Sequence, residues 1–308
     1  NYLDVHIAHI LKYKGVDRKA IKKAKFKIAV DAVNSTGGLA VPKLLQALGV
    51  KKVVELYCEP TGRFAHNPEP LPEHLKEIGK TVKKQKCDLG IVVDPDVDRL
   101  ALIMENGKPF GEEYTLVAVA DYLLKKRKGN TVSNLSSTRA LRDVTEQRGG
   151  VYSAAAVGEV NVVEKMKAVK AVIGGEGNGG VIVPDFHYGR DALIGIALFL
   201  SHLAKSKMTM TELRASYPNY FISKNKIELT AGVNVDTILA SIQEKYRHEK
   251  INTADGVKID FEQTREWVHL RKSNTEPIIR IYAESQDAAK ANALAQRILT
   301  DIQLMLNS

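Results

Sequence analysis

Apolar residues recur along this chain in two rhythms. Between residues 26 and 110, short β-branched runs alternate with segments of helical spacing. Lys27 to Asp31, Lys52 to Leu56 and Leu89 to Val93 have the length and composition of strands. The stretches near Val41 to Leu48 and from Pro72 onward repeat their apolar positions as helices do. That alternation predicts a parallel, doubly wound α/β layer. A second cycle starts near Gly111. It runs through helices over Thr115 to Lys126 and Arg139 to Arg148, strands at Thr131 to Leu135 and Ala171 to Glu176, and an apolar helix from Ala192 to Ala204. Each cycle places Asp or Gly directly after an apolar strand, at the carboxyl edge where such sheets bind ligands. Beyond residue 207 the rhythm changes to one helix over Asp236 to His248, several strands between Gly256 and Ala283, and a long helix from Asp287 to Leu306. The predicted architecture is two doubly wound α/β domains, 1–110 and 111–207, followed by an α+β domain, 208–308.

Composition agrees with this division. A chain of 308 residues with 44% apolar content supplies cores for two or three domains of roughly 100 residues each. No run approaches the roughly 18 apolar residues of a membrane helix, and the first residues carry an early acid and no small-residue cleavage site, which predicts a soluble, cytoplasmic protein without membrane partners. Cys58 and Cys87 are too few for a disulfide framework or a thiolate zinc site, and both sit in strand-like surroundings as structural thiols. The net charge of +9 suits anionic ligands. Most lysines are spaced along helices without interleaved aromatics, which argues for solvated faces and against nucleic acid.

Three constellations carry chemistry. In Asp94-Pro95-Asp96-Val97-Asp98-Arg99 the carboxylates alternate by two in a turn between apolar strands, and can converge on a hard cation that takes oxygen ligands, Mg2+ above all. Without a cation they would repel one another. Glu105 falls at the twelfth position of an EF-hand count, but Arg99 at the sixth and flanking strands exclude that motif. An aspartyl-phosphate phosphatase with Asp94 as nucleophile stays open as an alternative. In Gly174-Gly175-Glu176-Gly177-Asn178-Gly179-Gly180, glycines let backbone approach a ligand while Glu176 and Asn178 offer the carboxylate and amide that sugar hydroxyls bind. In the segment from Arg271 to Arg280, Ser273, Asn274 and Thr275 offer small donors between two arginines, a set suited to a phosphate, although no Gly-Lys-Ser P-loop is present.

Taken in order, the Asp-x-Asp-x-Asp-Arg turn, the Gly-Glu-x-Asn-Gly-Gly loop and Arg271-Lys272-Ser273-Asn274-Thr275-Glu276-Pro277 resemble the α-D-phosphohexomutase superfamily of phosphoglucomutases, phosphomannomutases and phosphoglucosamine mutases. Similar segments are Asp31 to Gly38, Ala65 to Pro70, and Gly189-Arg190-Asp191-Ala192. The resemblance implies that Asp94, Asp96 and Asp98 bind Mg2+ and that Arg99 assists catalysis. It further implies that Glu176 and Asn178 bind the sugar, and that Arg271, Ser273, Asn274 and Thr275 hold the phosphate that is not transferred. Arg280 joins that set from spacing alone. Family members use a phosphoserine loop in a first domain. Here the nearest echo, Phe64-Ala65-His66-Asn67-Pro68, has Ala65 where serine would stand and is expected to be a substrate-side loop. The 308 residues are therefore expected to represent the family's domains two to four and to be inactive alone. In the parent, a hexose 6-phosphate and its 1-phosphate would interconvert through a 1,6-bisphosphate. Glucosamine phosphate is the expected substrate because the glycine-rich loop looks nearest to that branch. Relatives that end this loop with His have a candidate acid or base where this chain has Gly180.

Overall fold

The computed structural model describes residues 1–228, 234–273 and 278–306. It divides the chain into two units. The first holds residues 1–133, 141–153 and 158–217; the second holds 134–140, 154–157 and 218–308.

The first unit opens with helices α1 (Tyr2–Lys12) and α2 (Arg18–Ala24), capped by Asn1 and Asp17. The strand–helix pattern from residue 26 does not reveal them. Then follow β1 (Lys27–Asp31), α3 (Gly37–Leu48), β2 (Lys52–Leu56), α4 (Lys76–Gln85), β3 (Leu89–Val93) and β4 (Leu100–Met104). These strands form a sheet in the order β2-β1-β3-β4, parallel through β3 and antiparallel at β4. The second cycle comprises α5 (Glu112–Leu124), β5 (Asn130–Asn134), α6 (Ala140–Gln147), β6 (Tyr152–Ala155), α7 (Glu159–Val169), β7 (Ala171–Glu176), β8 (Gly180–Ile182), α8 (Ala192–Ser206) and α9 (Met210–Ala215). Its strand order, β6-β5-β7-β8, repeats the first, with β7 parallel to β5 and antiparallel to β8. The two cycles thus share one topology. The three-residue β8 is too short to show a period of two.

Helices α5 and α8 explain how the two sheets join. Both are apolar on nearly every side and almost wholly buried, which a helix tolerates only inside a core. Each packs on β4 and on β8, and α5 also packs on β7. Phe110 and Phe199 meet edge to face at 5.4 Å. Among the described residues no helix is long and apolar enough to cross a membrane.

The second unit carries β9 (Phe221–Glu228), α10 (Val235–Lys245), β10 (Lys250–Asn252), β11 (Val257–Phe261), β12 (Glu266–Lys272), β13 (Ile278–Ser285) and α11 (Ala288–Leu306). The antiparallel order is β10-β11-β12-β13-β9. Ile259, Val268, Leu270, Ile279, Ile281 and Ala283 form a core with Ile242 and Ile298 of the two helices. Trp267, His269 and Glu284 are also buried, and residues 134–140 bond to this group. Glu284 Oε1 accepts from Trp267 Nε1 at 2.6 Å and from the Arg139 amide at 2.8 Å. His269 bridges Ser136 Oγ at 2.9 Å and the Asp255 carbonyl at 2.6 Å, and burial pushes it down to about 4.

Burial also pushes the Glu284 carboxyl up to about 7, well above the ordinary carboxylate range, despite its hydrogen bonds and the nearby Lys258. A raised acid means that the folded state binds the extra proton. The stability so gained is fully present below the unfolded carboxyl's range and is lost as pH rises through about 7. Urea midpoints of the second unit are expected to fall by about 3 kcal/mol equivalent between pH 4.5 and 8. Glu284→Gln, which keeps the acceptor oxygen, should flatten that dependence. An unchanged slope in the variant would refute this assignment.

Candidate active site

The aspartate turn forms where β3 ends and β4 begins. Asp94, 1% exposed, accepts through Oδ1 from the amides of Asp98 at 3.1 Å and Arg99 at 3.0 Å, and its Oδ2 meets Arg99 Nε at 2.6 Å. These bonds fold the turn back on its first residue. They also leave Val97 at φ 61°, a conformation that costs a β-branched residue on the order of 1–3 kcal/mol and persists only where the surroundings enforce it. Here the Val97 carbonyl accepts from the Ala192 amide at 3.0 Å, and the Pro95 carbonyl accepts from Thr36 Oγ1 at 2.8 Å.

Asp94, Asp96 and Asp98 each present a carboxylate oxygen within 4.8 Å of the others. Asp98 Oδ1 is buried and takes no hydrogen bond among the described residues. Burial, and then the charge of Asp94, pushes Asp98 up to about 6 against the pull of Arg190. Three oxygens of one sign, one of them orphaned, fit a hard divalent cation.

The glycine-rich loop occupies the same position in the second repeat, between β7 and β8. Glu176 is buried, accepting from the Gly158 amide at 3.2 Å and from Arg190 at 2.9 Å. Asn178 Oδ1 accepts from the Gly180 amide at 3.2 Å. The two loops meet: the Leu100 amide donates to the Gly179 carbonyl at 3.1 Å, and Arg99 bridges to Gly180.

Arg190 joins the two loops through side chains. Its guanidinium pairs with Asp98, with Glu176 at 2.9 Å and with Glu159 at 3.4 Å. Glu69, in the loop read from sequence as substrate-side, reaches Arg99 at 3.1 Å, and His66 of that loop contacts Asp31 Oδ2 at 3.1 Å.

On the second unit, Arg271 stands one residue before the end of β12 and Arg280 directly opposite it on β13, with Lys226 next across on β9. Side chains in register share a sheet face, so three cations form a row. Arg271 Nε lies 3.4 Å from Asp255 Oδ2, and the Ser273 amide donates to the Ile278 carbonyl at 3.0 Å. Asn274 and Thr275, the other two residues assigned to phosphate, lie outside the described residues.

Three domain signatures of the phosphoglucomutase/phosphomannomutase family match in the same order as these features: alpha/beta/alpha domain II over residues 4–107, alpha/beta/alpha domain III over 111–220, and the C-terminal domain over 225–300. The chain belongs to this family. It is 38% identical over 280 residues to a phosphoglucomutase/phosphomannomutase of Thermococcus kodakarensis, covering 90% of this chain and 60% of that one. It is 35% identical over 292 residues to a phosphoglucosamine/phosphogalactosamine mutase of Sulfurisphaera tokodaii, covering 92% and 63%. The chain thus spans under two thirds of the length of these curated relatives. A phosphoglucomutase/phosphomannomutase family protein of Burkholderia thailandensis shares the fold, with a TM-score of 0.81 at 24% identity over 98% of this chain and 65% of that one.

Within this phosphohexomutase framework, sequence reasoning brought Asp94, Asp96, Asp98, Arg99, Glu176 and Asn178 to adjoining loops. No role was legible for Glu159, nor for Arg190 and Glu69, which lie in the segments 189–192 and 65–70 noted only as similar to the family. The available signal was local to Gly189-Arg190-Asp191, an arginine just before an apolar helix; its partners lie 92, 31 and 14 residues away.

Proposed function

We propose that this chain supplies the metal-, sugar- and phosphate-binding parts of a phosphohexomutase that interconverts hexose 6-phosphate and hexose 1-phosphate, with glucosamine phosphate as substrate. The proposed division is 1–110 for the metal loop, 111–207 for the sugar loop and 208–308 for the phosphate clamp. The observation that carries this is Arg190, which holds Asp98 of one loop and Glu176 of the other on one guanidinium.

Asp94, Asp96 and Asp98 would hold Mg2+, which supplies charge stabilisation as a phosphoryl group moves between oxygens. Arg99, fixed by Asp94 and Glu69, presents a cation beside that group. Glu176 and Asn178 orient the sugar by its hydroxyls. Arg271, Arg280 and Ser273, with Asn274 and Thr275, grip the phosphate that is not transferred. A grip on phosphate alone serves both orientations of a 1,6-bisphosphate, as a mutase requires. The phosphoryl donor in the full reaction is a phosphoserine, and residues 1–308 contain no Ser-His-Asn-Pro loop.

A phosphatase with Asp94 as nucleophile is the second reading; Arg99, which donates to Asp94 Oδ2 at 2.6 Å, would have to release that oxygen before it could attack a phosphoryl group. The chain alone should bind hexose phosphates in Mg2+ without turning them over. A longer parent carrying the phosphoserine domain should isomerise glucosamine 6-phosphate faster than mannose or glucose 6-phosphate, and Asp94→Asn should lower its kcat by roughly 10³-fold. Preference for mannose or glucose phosphates would overturn the substrate. Release of inorganic phosphate by the chain alone would overturn the reaction.

A further inference from the structure

A second cluster of metal-binding side chains lies on the first unit, and the mutase chemistry does not use it. His6 Nε2 of α1 stands 2.8 Å from Asp191 Oδ2, and His187 Nε2 stands 2.9 Å from the same oxygen. Each of the three residues presents a ligand atom within 4.8 Å of the others. We propose that His6, His187 and Asp191 form a binding site for a divalent transition-metal ion, Zn2+ being the best match, distinct from the oxygen-only aspartate turn.

The ligand chemistry differs in kind from that of the turn. Two imidazole nitrogens and one carboxylate suit Zn2+ and its neighbours, whereas Mg2+ prefers oxygen throughout. The carboxylate is already oriented: Asp191 caps α8, its Oδ1 accepting from the amides of Leu193 at 2.7 Å and Ile194 at 3.1 Å. That leaves Oδ2 for the imidazoles, an outer arrangement of the kind that fixes metal ligands. The loop carrying His187 is pinned as well, with the His187 amide donating to the Val183 carbonyl and the Asp191 amide to the Val181 carbonyl, both at 3.0 Å. Phe186 packs against both imidazoles, with ring centroids 5.3 Å apart in each case.

Room and access are adequate. Ligand atoms around a tetrahedral zinc stand about 3.3 Å apart, so each nitrogen must retreat from Oδ2 by about 0.5 Å. Side chains that are 33% and 40% exposed can do so by small rotations. The cluster opens on a cavity of about 450 Å3, lined also by His9, Tyr13 and Asp185, which admits the ion and a water as fourth ligand. Without metal, two imidazoles each donate an Nε2 proton to one oxygen; with the ion on Nε2, each neutral imidazole would carry its proton on Nδ1 instead. Bound there, it would fasten α1 to the segment that ends in Arg190.

The test is to strip the protein with a chelator, saturate it with Mg2+ to occupy the aspartate turn, and titrate Zn2+ or Co2+. One equivalent is expected to bind, raising Tm and giving Co2+ the intense visible absorption of a four-coordinate site. His6→Gln and His187→Gln should each weaken binding by roughly 100-fold or more, at least what losing a supporting second-layer contact costs, whereas His9→Gln should leave it intact. Failure to bind either ion in excess Mg2+ would refute the site. So would equal binding by the wild type and both glutamine variants, which would place the ions on other carboxylates.

Discussion

Arg190→Met should unfold the first unit at a urea concentration lower by about 3 kcal/mol equivalent and reduce kcat/KM of a full-length parent by roughly 10²- to 10³-fold. The guanidinium is 20% exposed and faces three carboxylates, two of them less exposed than itself. Methionine preserves the aliphatic stem's packing but strands Asp98 and Glu176 as neighbouring like charges. Removing one partner of a largely buried ion pair costs several kcal/mol, most of it the penalty for the charge left behind. The double variant Arg190→Met/Glu176→Gln isolates that penalty. It should regain a substantial part of the lost stability, and a cycle with no coupling would show that Arg190 does not hold the two loops together. Added Mg2+ should also narrow the gap, since a cation among the aspartates compensates Asp98.

Gly179→Ala is expected to cost about 2–4 kcal/mol and to weaken hexose phosphate binding more than metal binding. Gly179 has φ 89°, and a Cβ there would stand 2.5 Å from the Leu100 carbonyl oxygen. The left-handed backbone alone costs a non-glycine residue on the order of 1–3 kcal/mol, and the clash adds to it because the obstacle is backbone and cannot rotate away. Relief requires the loop to lift, which breaks the bond from the Leu100 amide and displaces Asn178. Calorimetry on the variant in saturating Mg2+ separates these effects. An unchanged Kd for hexose phosphate would mean that the loop does not touch the sugar.

The aspartate turn and the glycine-rich loop were legible in the sequence because each is a single contiguous segment whose residue types already state its chemistry. The alternation of strands and helices was legible for the same reason. What escaped is whatever depends on distant partners. Arg190 earns its place only when β3 and β7 lie in adjoining sheets, and Glu69 only when its loop reaches Arg99. The covering of Trp267 and Glu284 by residues 134–140 rests on bonds such as Arg139 to Glu284, 145 residues apart. Helices α1 and α2 escaped for a different reason: their buried positions, Ile7, Ile10 and Ile21, are too few for a periodic signal amid lysines.

The repeated strand order has a consequence for how this protein can change. The aspartate turn and the glycine-rich loop are one hairpin built twice, and the Leu100–Gly179 bond stitches the copies edge to edge. A lengthened β7–β8 hairpin would therefore press on the aspartates before it reached a substrate. Altering sugar preference by insertion in that loop should disturb metal affinity, whereas single side-chain exchanges at Asn178 leave the seam intact and offer the freer route to a new specificity.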